Sequence, residues 1–323
     1  MLCIAWSIRA AILFGVVCAE TTRLISVAML ETLREETRDM FFHGYDNYIA
    51  HGWPDDEVRP LSCRKRSHVK KERGTLDDVL GGYMLTLVDS LDTLLVMREY
   101  EEFDNALRLL SNITFDTDVT VSVFEANIRI VGGLLSAHQL ALRLYPDVFY
   151  DGFTLLELAK ELASRLLPAF NTPTGIPLHV VNLRRGSSPQ GTSPFTCPAA
   201  GGTFLLEMGL LSRLTGNSTF ETVAARALRS LWSRRSSIDL VGSLIDTSTG
   251  RWKESHSGVG AGVDSFLETM LKGHVLLGGG DELYIMFRKA YEAAQKHTSH
   301  KVRLFRFVCF VCSFSSLLGR AYT

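Results

Sequence analysis

Residues 121–142 read VSVFEANIRIVGGLLSAHQLAL. Phe124, Ile128, Val131, Leu135 and Leu142 recur at spacings of three, four or seven, which predicts one packed face of a long helix. Glu125 and Arg129 fall off that face together. Four residues apart, they stack one turn from each other, and Gly132-Gly133 beyond them lets another helix or a ligand approach the backbone closely. A solvated i,i+4 ion pair is the plain account of such a pair. Against it stand Val121, Val123, Ile130 and Leu134, which leave little of the helix polar. A carboxylate in those surroundings pairs or shifts its pKa, and acid catalysis uses both outcomes.

Other carboxylates sit in equally apolar segments. Leu76–Met97 is expected as a helix apolar nearly all round, with Asp89 and Asp92 inside it. Buried carboxylates need partners, so each is a structural acceptor or part of a site, and at least one is read as structural. Glu207 lies among Phe204, Leu205, Leu206, Met208, Leu210 and Leu211, where a buried structural acid satisfied by a backbone or Arg partner is one reading. Asp264 and Glu268 follow the glycine-rich Gly258–Gly262. Ser265-Phe-Leu-Glu268 fits a capping box, which would only start a helix. Asp264 and Glu268, one turn apart, would also point into one cavity.

Further helices are expected at 31–51, 102–110, 155–167, 202–214, 219–235, 263–277 and 282–296. Short extended pieces fall at 179–183 and 240–252, where hairpin pairing is expected. Helix follows helix, so the fold class is mainly all-α, built from antiparallel helical hairpins with short β-hairpins. The basic run 64–73, RKRSHVKKER, reads as a solvated loop without assigned function.

Hydrophobic residues make up 46% and charged residues 21% of 323, which excludes a disordered chain. A formal net charge of −1 gives no general affinity for nucleic acid or acidic membranes. Arg9, the apolar run 10–17 and Val17-Cys18-Ala19 read as a secretory signal peptide, residues 1–19. The run is shorter than the roughly 20 apolar residues of a spanning helix. Asn112-Ile-Thr114 and Asn217-Ser-Thr219 are glycosylation sequons that suit that compartment. Beyond the signal, four cysteines allow three connectivities, and Cys309-Phe-Val-Cys312 lacks the context of a redox motif.

The opening segment, together with MFFHGYDNYIAHGWPDDEVRPLSC, LTLVDSLDTLLVM, LLPAFNTPTGIP, GGTFLLEMGLLSRLTG, LVGSLIDTSTGRW and GVGAGVDSFLETMLKG in order, resembles the class I α-1,2-mannosidases, glycoside hydrolase family 47, especially their ER degradation-enhancing branch. The resemblance implies an α/α toroid, here incomplete at its C-terminus, with residues 30–297 as the N-terminal part of the domain and 298–323 as a tail foreign to it. It implies inverting hydrolysis with Glu125 as general acid, Asp264 as second catalytic carboxylate, and Arg129, Glu207 and Glu268 contacting mannose. It implies Ca²⁺ as cofactor, its protein ligand in a C-terminal part beyond this chain, where the third catalytic glutamate and the cysteine partner of the Cys63 position also belong. The implied substrates are high-mannose N-glycans of misfolded glycoproteins in the endoplasmic reticulum lumen, with oxidoreductases or chaperones of that compartment as further partners and at most peripheral membrane contact. A non-catalytic module binding mannose or client glycoproteins is the alternative.

Overall fold

The computed structural model describes residues 26–66, 68–69, 72–143 and 150–299. The expected signal peptide, Cys309, Cys312 and nearly all of the expected tail lie outside them. The chain divides into two compact units, Met1–Arg66 and Ser67–Thr323.

In the first unit, helix α1 (Val27–His51) starts earlier than periodicity suggests, because the Ser26 hydroxyl accepts the Met29 amide at 3.1 Å. Tyr45 and Tyr48 are buried, whereas Met40 is exposed. After it, β1 (Glu57–Arg59) pairs antiparallel with β2 (Arg64–Arg66), so the start of the basic run is a strand and not a loop. Arg66 reaches Glu57 at 3.4 Å across that pair.

The second unit is a succession of helical hairpins. The expected helix 76–97 is shorter: a 3-10 turn (Gly74–Asp77) comes first, and α2 runs over Leu85–Met97. Gly82 and Met84 in left-handed conformations, φ 73° and 54°, break the chain between them. Two residues later α3 (Tyr100–Leu110) packs back on α2. Strand β3 (Thr120–Ser122) leads directly into the helical turn α4 (Val123–Glu125), a π-helical segment (Ala126–Val131) and α5 (Gly132–Arg143). Helix α6 (Thr154–Leu166) returns along α5, ending in a 3-10 turn (Leu167–Phe170). Strand β4 (Val180–Asn182) pairs antiparallel with β3. Strands β5 (Phe195–Thr196), β6 (Leu244–Asp246) and β7 (Trp252–Glu254) form a small sheet in that order. The short α7 (Pro198–Gly202) introduces the hairpin of α8 (Leu205–Thr215) and α9 (Thr219–Ser233), and α10 (Asp264–Leu277) folds back into α11 (Glu282–His297).

Helices α2, α5, α8 and α10 pack side by side in that order, and α3, α6, α9 and α11 each back onto one of them. The inner helices supply much of the core: Leu87, Val88, Leu91, Ile130, Val131, Leu134, Met208, Leu211, Phe266 and Met270 are fully buried. Each hairpin returns the chain to the end from which it left, so every inner helix starts at the same end of the row.

The π segment corrects the stripe expected for 121–142. Of the stripe's five residues Val131 and Leu135 are buried, Phe124 and Ile128 are half-buried and Leu142 is exposed, whereas Val123, Ala126, Asn127, Ile130, Leu134, Ala137, His138 and Ala141 are also buried. A π turn closes i→i+5 bonds and holds about one residue more than an α turn, so a 3.6-residue period loses phase across it.

Candidate active site

Glu125 is placed by three local interactions. Val123 donates its amide to the His179 carbonyl beside β4 at 3.0 Å, which fixes where strand β3 becomes helix. The buried Ser122 hydroxyl accepts the Glu125 amide at 3.3 Å. Ser122-x-x-Glu125 is thus an N-terminal cap that sequence reasoning did not single out. The Glu125 carboxylate turns forward instead, and Arg129 Nε donates to its Oε2 at 2.7 Å. This is the pair the opening segment predicts, with Glu125 21% and Arg129 39% exposed.

Arg129 also reaches Asp89 on α2, with Nη1 3.9 Å from Oδ2. Burial pushes the Asp89 carboxyl above the usual carboxylate range; Arg129 opposes this, and the charges of Asp92 and Glu125 add to it. Asp92 instead accepts the Ser136 hydroxyl from α5 at 2.8 Å. So of the two aspartates in α2, Asp92 ties helices together and Asp89 joins the Glu125–Arg129 group.

Two glycines bring the inner helices close. A β-carbon at Gly133 would lie 3.3 Å from Val88 Cγ1 and 3.4 Å from the Val88 carbonyl oxygen, so α2 and α5 meet there. A β-carbon at Gly132 would lie 3.5 Å from Glu207 Cγ. Glu207, third residue of α8, packs on that bare backbone, and Asn127 Nδ2 donates to its Oε2 at 2.9 Å. Burial raises the Glu207 pKa; the bonds from its own backbone and Asn127 and the charge of Lys272 pull it down.

Lys272 lies on α10, where its Nζ donates to Glu268 Oε2 at 2.7 Å. Asp264 opens the same helix, exposed, its Oδ1 accepting the amide of neighbouring Ser265 at 2.6 Å. The capping box expected at Ser265 is not formed. The Gly260 carbonyl accepts the amides of Val263 and Asp264 at 3.1 and 3.0 Å, so the helix starts before Ser265 can cap it, and Glu268 turns to Lys272. Asp264 and Glu268, expected in one cavity, are both exposed, and Asp264 bonds only within its own turn among the described residues.

Asp89, Glu125, Glu207, Asp264 and Glu268 all fall within the first five residues of an inner helical stretch. A polar cluster therefore collects at one end of the row, where helix dipoles also favour negative charge. Contacts run from Asp89 through Arg129 to Glu125, and separately from Asn127 through Glu207 towards Lys272 and Glu268. Asn127 and Lys272 escaped the sequence reading; an asparagine inside an apolar helix was the available signal for the first.

Calcium takes six to eight oxygen ligands. Among the described residues no group of three His, Cys, Asp or Glu side chains stands placed to hold a metal ion, and no step is assigned to one. Among the described residues Cys63 and Cys197 form no disulfide. No described helix is long and apolar enough to cross a membrane.

Residues 40–316 match the family described as glycosyl hydrolase family 47. The chain belongs to that family. Among its relatives, this family-47 chain is 46% identical over 268 residues to alpha-mannosidase I MNS4 of Arabidopsis thaliana, covering 82% of this chain and 41% of that protein. It is 44% identical over 281 residues to ER degradation-enhancing alpha-mannosidase-like protein 3 of Homo sapiens, covering 83% and 30%. An alpha-1,2-mannosidase from Trichoderma reesei superposes with a TM-score of 0.69 at 25% identity, covering 90% of this chain and 55% of that one. The expected α/α toroid is thereby shown as the fold. The chain spans less than half the length of the two curated relatives.

Proposed function

We propose that this family-47 chain is a glycoside hydrolase of the α-1,2-mannosidase type, acting on high-mannose N-glycans of misfolded glycoproteins in the endoplasmic reticulum lumen. The observation that carries the reading is Glu125, a partly buried carboxylate bonded to Arg129 at 2.7 Å beside Asp89, in a family of α-mannosidases. Inverting hydrolysis needs a carboxylic acid to protonate the leaving oxygen and a carboxylate about 6.5–9.5 Å away to activate water. Glu125 takes the first role. Arg129 holds it in place and, with Glu207 and Glu268, offers donors and acceptors to mannose hydroxyls. Asp264, at the open start of α10, is assigned the second carboxylate. Oriented donors of this kind act without reorganising during the reaction.

One observation favours the second reading, a module that binds mannose without cleaving it: Asp264 is exposed and bonds only within its own turn among the described residues. The two readings part on one experiment with the whole chain. Free mannose released from a Man9-type glycan is measured beside glycan binding, for the parent and for Glu125→Gln. A hydrolase releases mannose and loses that release in the Gln variant while binding persists. Binding without release in both proteins establishes the module, and neither binding nor release refutes both.

A further inference from the structure

Asn127 is the least expected residue near the site. It is fully buried in the π segment, on a stretch otherwise walled by Ala126, Ile130 and Val131. Its Nδ2 donates to Glu207 Oε2 at 2.9 Å, whereas its Oδ1 is buried with no hydrogen-bond partner. A buried carbonyl oxygen left unbonded costs about 1–3 kcal/mol, so such a group is retained where it has a use. The other Glu207 oxygen faces Gly132, where an added β-carbon would stand 3.9 Å from Oε1. The carboxyl is therefore held between an amide and a bare stretch of helix.

We propose that Asn127 is the positioning residue for Glu207: its amide holds the carboxyl against the α4–α5 stretch and, by a half turn about its terminal bond, stays bonded to it in either protonation state. With Glu207 ionised, Nδ2–H donates to the carboxylate, as observed. With Glu207 protonated, the carboxyl O–H donates to the Asn127 Oδ1 that now stands unpartnered. An amide carries both a donor and an acceptor, which no aliphatic residue of similar volume offers. The other groups around Glu207 do not compete for this role. Lys272 on α10 is the charged side chain whose field reaches it, and it is itself bonded to Glu268. Asn127 thus lets Glu207 meet a ligand hydroxyl as acceptor or as donor without moving. That last consequence rests on reading Glu207 as a mannose contact; the bond between the two residues does not.

The test uses the whole chain without ligand. Carbon-13 NMR follows the Glu207 carboxyl against pH, assigned by its loss in Glu207→Gln, and nitrogen-15 NMR follows the Asn127 side-chain amide. In the unsubstituted chain both signals are expected to move with one midpoint, and the amide signal to stop moving in Glu207→Gln. Asn127→Leu, which removes the donor to the charged form, is expected to shift the Glu207 midpoint up by about one unit. Asn127→Asp, which sets a second carboxyl beside it, is expected to shift it further. An Asn127 amide that ignores the Glu207 titration in the unsubstituted chain overturns the proposal, whether or not the variants fold. Binding of α-1,2-linked mannobiose is then compared at pH values on either side of the midpoint. Coupled titration with mannobiose binding unaffected by Glu207→Gln leaves Asn127 in its role and refutes Glu207 as a sugar contact.

Discussion

Two carboxylates of the site make an instructive pair, Glu207 on α8 and Glu268 on α10. Each is a glutamate in the opening turns of an inner helix, and the charge of Lys272 acts on both. Glu207 is pressed between Gly132 and Asn127, and burial governs its proton affinity. Glu268 lies open, its side chain 46% exposed beside a Lys272 that is 60% exposed. Position along a helix gathers the acids at one end. What surrounds each side chain decides what the acid is: a bare glycine and a neutral amide from the α4–α5 stretch close Glu207 in, and a solvated lysine one turn along the same helix leaves Glu268 open.

The largest expected effect sharpens the closed side. Glu125→Gln removes the proton donor, and general acid catalysis contributes about 10²–10⁴-fold. Mannose release by a competent form of the domain should fall by that range while its melting curve stays in place. Unchanged release would leave Glu125 an ordinary ion-pair partner.

Next comes packing. Gly133→Leu forces a side chain against the Val88 carbonyl 3.4 Å from its β-carbon and should destabilise the chain by about 1–3 kcal/mol in denaturant titration. Gly260, before α10, has nothing within 4 Å of an added β-carbon, and Gly260→Ala should stay within about 0.5 kcal/mol. Equal effects at the two glycines would erase the contrast between the closed and open sides.

A third prediction concerns pH. The Glu207 pKa is raised by folding, so the folded chain binds its proton more tightly than the unfolded chain. That stabilisation is complete below the unfolded value of 4.5 and is lost as pH rises through the higher folded value. Denaturation across that window should show Glu207→Gln losing less stability with rising pH than the parent; identical slopes would contradict the closed setting. The smallest effect belongs to the open side. Lys272→Met removes an exposed ion pair and should cost at most about 1 kcal/mol, and less in high salt.

The sequence carried the hairpin succession well, because Gly216 and Gly278 end α8 and α10 and apolar periodicity is unbroken in α3, α6 and α9. It also carried the Glu125–Arg129 pair, which needs only four-residue spacing. It failed where a local rule was overridden from outside. The stripe on 121–142 assumed one period and met a π turn. The Ser265 cap assumed that its own turn starts the helix, and the Gly260 carbonyl had already done so. Asp89 and Asp92 looked equivalent because no spacing in α2 says that one meets Arg129 and the other Ser136. Pairings such as Asn127 with Glu207, which are 80 residues apart, leave no local mark at all.

The additional residue held in the Ala126–Val131 turn has a consequence for how this stretch tolerates change over evolutionary time. Each residue advances an α-helix by about 100°. Deleting one residue from this turn would restore regular winding and swing everything after it round the axis: Gly132 would leave Glu207, Gly133 would leave Val88, and Ser136 would leave Asp92. Three neighbouring contacts would be lost at once, and because Arg129 lies within the turn while Glu125 precedes it, a deletion between them would also break their four-residue spacing. Substitutions here can be absorbed one at a time, but changes of length cannot, so insertions and deletions should be purged from this turn even among homologues whose residues within it have diverged.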